Sequence, residues 1–412
     1  MDLDTPCRIA GAILLGAAAC AVAWSAPAAH AAARTLVVEA GPSARAHVPM
    51  SVEAPEGTAK ARMLDGQKEV PCQVVEGRLW WILDALDPGA TRTYTVELGA
   101  DGAGDPKAVD LRRTDETIDI LIDGRPFTTY HFTNPKHCGQ QTRRPYFFPV
   151  LGPGGTPMTR PYPLTDDPIP ENVAKDHPHH TSVWVAHGDV NGADNWSIDE
   201  KAGWQLHRDF ETVASGPVVG WFRETLDWTT ADRKPNLAEV RTVRVWRLPE
   251  AARMLDLEIA FRAAYGKVTF GDTKEGGLCA TRMRPEFQAD RGGRLVNSEG
   301  QTADATWGKP AAWVDCSGPV EGRRLGYALF DAPGNPWHPT PWHARTYGLL
   351  TANPFGLSAF DPKGGKKGDW TLEADRTATV RYRLYFHPGD EKEADVAARW
   401  ADYAQPPTAR WK

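Results

Sequence analysis

Beyond residue 31 the chain has no apolar run approaching the ~18 residues of a membrane-spanning helix, so a helical membrane protein is excluded for that region. A basic excess is also missing. The net charge is −6, which argues against non-specific nucleic-acid binding and against attraction to an anionic membrane. Cysteine is scarce, at 6 in 412 residues, and no C-x-x-C pair occurs; zinc-ribbon and thioredoxin-type chemistry drop out with it. Neither G-x-S-x-G nor H-E-x-x-H is present, which disfavours a serine elbow and a zincin. No phosphate loop, no dinucleotide fingerprint and no 20–50-residue repeat is visible.

What is present is the balance of a folded globular protein, 24% charged and 41% apolar. Residues 1–31 read as a secretory signal: Arg8, an apolar run from Ile9 to Trp24, then Ala29-His30-Ala31 as a cleavage site. Export to the periplasm or the extracellular space is expected, with no membrane span after cleavage. Cys7 and Cys20 leave with the signal. Cys72, Cys138, Cys279 and Cys316 then either pair, in any of three ways, or serve as small buried apolar residues.

Residues 34–104 predict a small β-sandwich. Thr35–Glu39, Cys72–Val75, Leu79–Leu83 and Thr93–Leu98 are rich in strand formers, with Asp65-Gly66 and Pro88-Gly89 as turns. A polar linker over 101–106 leads into a larger unit over 109–405. Thr117–Ile122 and Arg125–Tyr130 form a hairpin around Asp123-Gly124. Val218–Trp228, Glu239–Arg247, Arg253–Ala263, Leu325–Phe330 and Thr377–Phe386 extend it. Leu255, Leu257 and Ile259 alternate with Asp256 and Glu258, so one face is buried and the other wet. Helix signals are few, the best being Glu391–Tyr403, stopped by Pro406-Pro407. The fold class is therefore all-β: a large antiparallel β-sandwich preceded by the small one, with a short C-terminal helix. Its size suits the supersandwich of sugar mutarotases, at the level of fold alone.

Three segments carry chemistry. The first is Asp176-His177-Pro-His179-His180, then a strand over 181–186 and His187-Gly-Asp189-Val-Asn191. Imidazole is the commonest protein metal ligand and near-neutral acid–base group. An extended chain would put His177 and His179 on one side and Asp176 and His180 on the other, with Asp176 backing a histidine. The competing reading is a polar loop whose histidines cap backbone groups. If the strand is straight, His180 and His187 lie about 23 Å apart, at about 3.3 Å per residue, and share a site only across a bulge. The second segment holds Trp337, Trp342, His343, Arg345 and Tyr347. Alternation puts the last three on one face, a ring, a fixed cation and a phenol suited to a polyhydroxylated or anionic ligand. The tryptophans offer sugar-stacking platforms or, alternatively, core. The third is Gly271–Gly277, where Lys274 and Glu275 supply a cation and a carboxylate, or simply a solvated pair on a turn.

Tyr146–Gly155, Asp176–His180, Ala186–Gly192, Asp272–Gly277 and Trp342–Gly348 through Asn353-Pro-Phe-Gly356 together resemble the methane oxygenase PmoA-like family of exported bacterial proteins, over about residues 35–405. The resemblance implies a β-rich secreted protein from bacteria that degrade polysaccharides or glycosides, and no catalytic mechanism.

The expected function is a carbohydrate-active enzyme that hydrolyses, or opens by β-elimination, a glycoside or oxidised sugar. His179 or His180, oriented by Asp176, is the expected base, and Glu275 or His343 the acid. Lys274 and Arg345 stabilise negative charge, while Tyr347, Trp342, Trp337, His187, Asp189 and Asn191 bind substrate. A divalent metal on His177 and His179 is the alternative source of charge stabilisation. The alternative function is a secreted glycan-binding protein without chemistry. A copper or iron oxygenase site from His177, His179 and His187 is a third idea.

Overall fold

The computed structural model describes residues 33–412; the expected signal, with Cys7 and Cys20, lies outside the described residues. The large unit is two antiparallel sheets. One has eight strands in the order Trp204–Ala214, Val219–Thr229, Pro235–Trp246, Arg253–Arg262, Thr377–Pro388, Arg323–Asp331, Trp313–Val320 and Arg294–Asn297. The other has seven: Leu349–Thr351, Gly276–Arg282, Val183–His187, Tyr146–Val150, Arg125–His131, Thr117–Ile122 and Val109–Arg113. The inner faces of both contribute to one core, Ile118, Ile120 and Val185 from one side, Leu255, Leu257 and Ile259 from the other. Asp256 and Glu258 are only half-buried, as alternation requires. The all-β sandwich is thus what the chain forms.

The small unit pairs a five-stranded with a three-stranded sheet around Leu36, Val38, Trp81, Leu83 and Val96. Its boundary differs from the expected 34–104. Thr408–Trp411 returns from the far end of the chain and pairs with Ala33–Glu39, Leu36 opposite Trp411. Pro406-Pro407 ends the helix as expected, but a strand follows it. The helix itself is Val396–Ala404, later than expected. Glu391 is spent on Arg294 at 2.6 Å, and Asp395 takes a left-handed conformation with φ 50°, so helical geometry begins only after it. Arg45 of the small unit bonds Asp402 of this helix at 2.9 Å with both side chains buried. Cys72, Cys279 and Cys316 are buried, Cys138 is half-buried, and all four are free thiols.

A polar network crosses the sandwich interior. Arg241, 1% exposed, bonds Glu239 through Nε at 2.7 Å and donates through Nη1 to Tyr130 Oη at 3.0 Å. Trp228 Nε1 donates to Glu239 at 2.6 Å. Glu224 accepts from Tyr130 and pairs with His207 at 2.7 Å. Tyr130 lies on the seven-stranded sheet and Arg241, Glu239 and Glu224 on the eight-stranded one, so the bonds fix how the layers meet. Burying unpaired charge is far costlier than burying it paired. Arg241→Met, which keeps the volume but leaves Glu239 uncompensated, is expected to cost about 3–5 kcal/mol in urea unfolding. A loss below about 1 kcal/mol would mean that the network does not support the fold.

Candidate functional site

The site lies on the outer face of the seven-stranded sheet, where three neighbouring strands, Leu349–Thr351, Gly276–Arg282 and Val183–His187, end a layer of aromatic and small residues: Tyr146, Trp184, Ala186, Trp196, Ala280 and Leu349. Each of the three segments singled out in the sequence runs directly into one of these strands. They meet around one cavity of about 690 Å³. His177, His179 and His180 line it, with Lys274, Glu275, His343, Arg345 and Tyr347. The segment His343–Tyr347 forms one long wall. At one end His343 Nδ1 donates to the Lys274 carbonyl at 2.8 Å, and at the other the Tyr347 ring stacks on His177 at 5.6 Å.

The histidine segment is a turn, not an extended chain. His177 has φ 43° and Ser182 φ 65°, and His180 N–H bonds the His177 carbonyl at 3.0 Å. Both faces of the expected alternation therefore fold together. The His177 and His180 rings stack 4.8 Å apart and nearly parallel, with His179 set edge-on to both. The strand that follows starts at Val183 because the left-handed Ser182 cannot belong to it. Beneath the turn, two buried arginines hold its carbonyls: Arg144 Nη1 bonds His179 O at 2.8 Å and Arg160 Nη2 bonds His177 O at 3.1 Å. Gly188 lets the strand end approach the acidic loop. Its N–H bonds Glu275 O at 2.7 Å, and a Cβ there would lie 2.6 Å from that oxygen.

Asp176 does not orient His179 or His180. It pairs with Arg160 and Arg282 and with His177 Nδ1, the last at 3.0 Å; burial raises its pKa, but the two guanidiniums outweigh that and hold it low. His187 is no site residue. It shares the parity of Val183 and Val185, which face the core, so its ring is fully buried against Phe270 and Phe355 with Nε2 on Gly271 O at 2.8 Å. Asp189 and Asn191 are turn residues. Asp189 accepts from Gly192 N–H at 2.7 Å, and Asn191 bonds Lys267 O and Thr269 N–H at 3.0 and 2.7 Å. Trp342 is fully buried and donates to Ala311 O at 2.8 Å. Trp337 packs edge-on against Phe355 and Trp370. Trp342 is core and Trp337 is half-buried against it, and neither lines the cavity. The His177, His179 and His187 oxygenase set does not assemble, since His187 points into the sandwich. Among the described residues no group of three or more His, Cys, Asp or Glu is arranged to hold a metal ion, so His177 and His179 are not completed as a metal pair.

Burial depresses the pKa of His179 to about 4, helped by Arg144, and that of His343 to about 4. His180 is pushed well below the usual imidazole range by burial and by its histidine and arginine neighbours. These rings are neutral at pH 7. A carbonyl only accepts, so His343 carries its proton on Nδ1 and presents Nε2 as a lone pair. His179 Nε2 and His180 Nδ1 are buried without partners. Burial raises the Glu275 pKa, but the hydrogen bond and charge of Lys274 overcome it and hold Glu275 ionised. Burial raises Tyr347 above the ordinary phenol value, opposed by Arg282, whose guanidinium lies 4.4 Å from the ring centre. The site therefore holds neutral bases, the Glu275 carboxylate fixed by Lys274, the Asp194 carboxylate and one protonated phenol. Of the acids expected from sequence, Glu275 is ionised and His343 is neutral with its one proton directed at the Lys274 carbonyl.

Trp196, Trp307 and Asp194 also line the cavity, and Arg144, Arg160 and Arg282 stand behind it, each at most 1% exposed. Sequence reasoning passed over all six. A lone arginine among strand residues looks like a surface residue, and nothing in residues 194–196 or 303–307 signals a wall.

The chain belongs to a family of unknown function, DUF6807, whose profile matches residues 117–401. The match covers most of the large sandwich and begins after the small one. No curated protein matches the chain. Among solved structures it is similar to the Slr1438 protein of Synechocystis sp. PCC 6803, at 8% identity over 68% of this chain and 95% of that one, with a TM-score of 0.16, a likeness too small to carry an argument.

The depressed imidazoles make stability depend on pH with a definite sign. Their folded pKa of about 4 lies below the unfolded 6.5, so the unfolded chain takes protons first. Their contribution is complete above pH 6.5 and is lost as pH falls from there to about 4. Urea unfolding at pH 7, 5.5 and 4.5 is expected to show this loss, and His343→Gln to flatten it. An unchanged slope in the variant would contradict the neutral assignment.

Proposed function

We propose that this DUF6807 member is a carbohydrate-active enzyme that acts on a glycoside or oxidised sugar by imidazole acid–base chemistry, with β-elimination next to a carbonyl the reaction its residues fit best. One observation carries the reading: three segments about 70–100 residues apart in sequence bring neutral imidazoles, an ionised carboxylate, a phenol and two cations to one cavity. Glycoside hydrolysis by the common route needs a second carboxyl kept protonated as acid. Glu275 is held ionised, and Asp194 spends Oδ1 on the backbone N–H groups of Trp196 and Ser197 at 2.7 and 2.9 Å. Elimination needs a neutral base, a donor for the leaving oxygen and positive charge beside the developing enolate.

In this scheme His179 removes the proton from the carbon next to the carbonyl. The electron pair forms the new carbon–carbon double bond, and the C–O bond to the leaving sugar breaks. Tyr347 protonates the departing oxygen. His179 and Tyr347 both flank the His177 ring, at 5.7 and 5.6 Å. Arg345 stabilises the enolate, Lys274 holds Glu275 ionised, and His343 and Glu275 accept from sugar hydroxyls. The binding-only alternative relied on Trp337 and Trp342 as platforms, and Trp342 is buried in the core while Trp337 packs half-buried against it; Trp196 and Trp307 line the cavity instead. The export signal and the resemblance to PmoA-like proteins join the proposal: the enzyme works in the periplasm or outside the cell.

A screen against glycosides and keto-glycosides, followed by mass and ultraviolet absorbance for an unsaturated product, tests the reaction. His179→Gln is expected to lower kcat by about 10²–10⁴-fold, with KM little changed, and Tyr347→Phe to slow substrates with poor leaving groups most. Full turnover in His179→Gln would remove that base from the scheme.

A further inference from the structure

We infer that the cavity is built for a sugar bearing a single negative charge, as a uronate carboxylate or a sulfate ester, with the Arg345 guanidinium as its anchor. This rests on the reading of the cavity as a sugar site. Arg345 is held by its own backbone, N–H to Leu349 O at 2.8 Å, and its guanidinium lies between Trp307 and Tyr347, 5.6 and 5.7 Å from their ring centres. It makes no ion pair or side-chain hydrogen bond with any of the described residues, whereas the other cation on the cavity wall, Lys274, is spent on Glu275. A planar fork placed on a cavity wall without a partner matches a planar carboxylate in two parallel bonds.

The charge around the cavity points the same way. The ionic groups about its imidazoles and phenol are the cations Arg144, Arg160, Arg282, Lys274 and Arg345 and the carboxylates Asp176, Asp194 and Glu275. Positive charge is in surplus there, in a chain whose net charge is −6. Arg160, Arg282 and Arg144 are buried, and among the described residues Asp176 is the single carboxylate bonded to any of the three. A singly charged ligand reduces the surplus. A doubly charged phosphate monoester calls for a second unpaired cation, and on this wall Lys274 is already paired with Glu275. A bound anion would also offset the arginine field on His179 and so strengthen the base at the moment substrate is present.

Calorimetric titration of the full mature chain with methyl β-glucoside, methyl β-glucuronide, glucose 6-sulfate and glucose 6-phosphate tests this. The glucuronide or the sulfate is expected to bind at least about ten-fold more tightly than the neutral glucoside, with the advantage shrinking as salt rises. Arg345→Gln should erase the preference and Arg345→Lys keep part of it, each checked by its melting temperature. Preference for glucuronide over sulfate identifies the carboxylate as the source. Equal binding of the neutral glucoside by the wild-type chain, strongest binding of the phosphate, or a folded Arg345→Gln that keeps the preference would overturn the inference. Binding of the neutral glucoside with no binding of the acids leaves the sugar site standing and removes the anion anchor. No binding of any probe removes both.

Discussion

Two guanidinium groups hold the histidine turn in place, and the site's chemistry follows from them. Arg144 and Arg160 are buried, and each donates to the carbonyl of a cavity histidine, His179 and His177. A buried guanidinium needs several acceptors to offset the loss of water, and a tight turn, with carbonyls no strand partner uses, supplies them. The turn in turn needs donors for those carbonyls. The left-handed His177 is held by the same contacts, which is how local strain persists at a site.

The same cations set the electrostatics. They act together with desolvation, the larger effect, to keep His179 and His180 neutral. A carboxylate would normally neutralise each buried arginine. Here the backbone does part of that work, because carbonyl oxygens carry partial charge without titrating, and positive potential is left facing the cavity. Glu275 stays ionised, although burial opposes it, because Lys274 bonds and pairs with it. The neutral imidazoles thus owe their state to burial and the buried cations, the phenol to burial, and the Glu275 carboxylate to Lys274.

Much of this was legible beforehand. Strand patterning located the hairpin Thr117–Ile122 with Arg125–His131 and five strands of the eight-stranded sheet, missing Trp204–Ala214, Arg294–Asn297 and Trp313–Val320, since a period of two is written directly into which residues are apolar. The three chemical segments were recognisable from their rare residue types. Their convergence was not, because it depends on Leu349–Thr351, Gly276–Arg282 and Val183–His187 being neighbours, and strand order is a long-range property. The tryptophans misled for a similar reason. Trp337 and Trp342 stand beside His343 in sequence, yet Trp342 is buried in the core and Trp337 packs half-buried against it, and a tryptophan suits a core as well as a surface.

By itself the sequence determined the fold class, the positions of the most strongly patterned strands and the residue types that meet at the cavity, because these follow from local periodicity and composition. Tertiary structure alone decided that His187 belongs to the core and His179 to the cavity, that Glu275 is ionised and His343 neutral, and that Arg144, Arg160 and Arg282 stand behind the site. Proton affinity and charge balance are set by desolvation and by neighbours brought from distant parts of the chain. Those quantities exist only once the sheets have closed and water has been expelled.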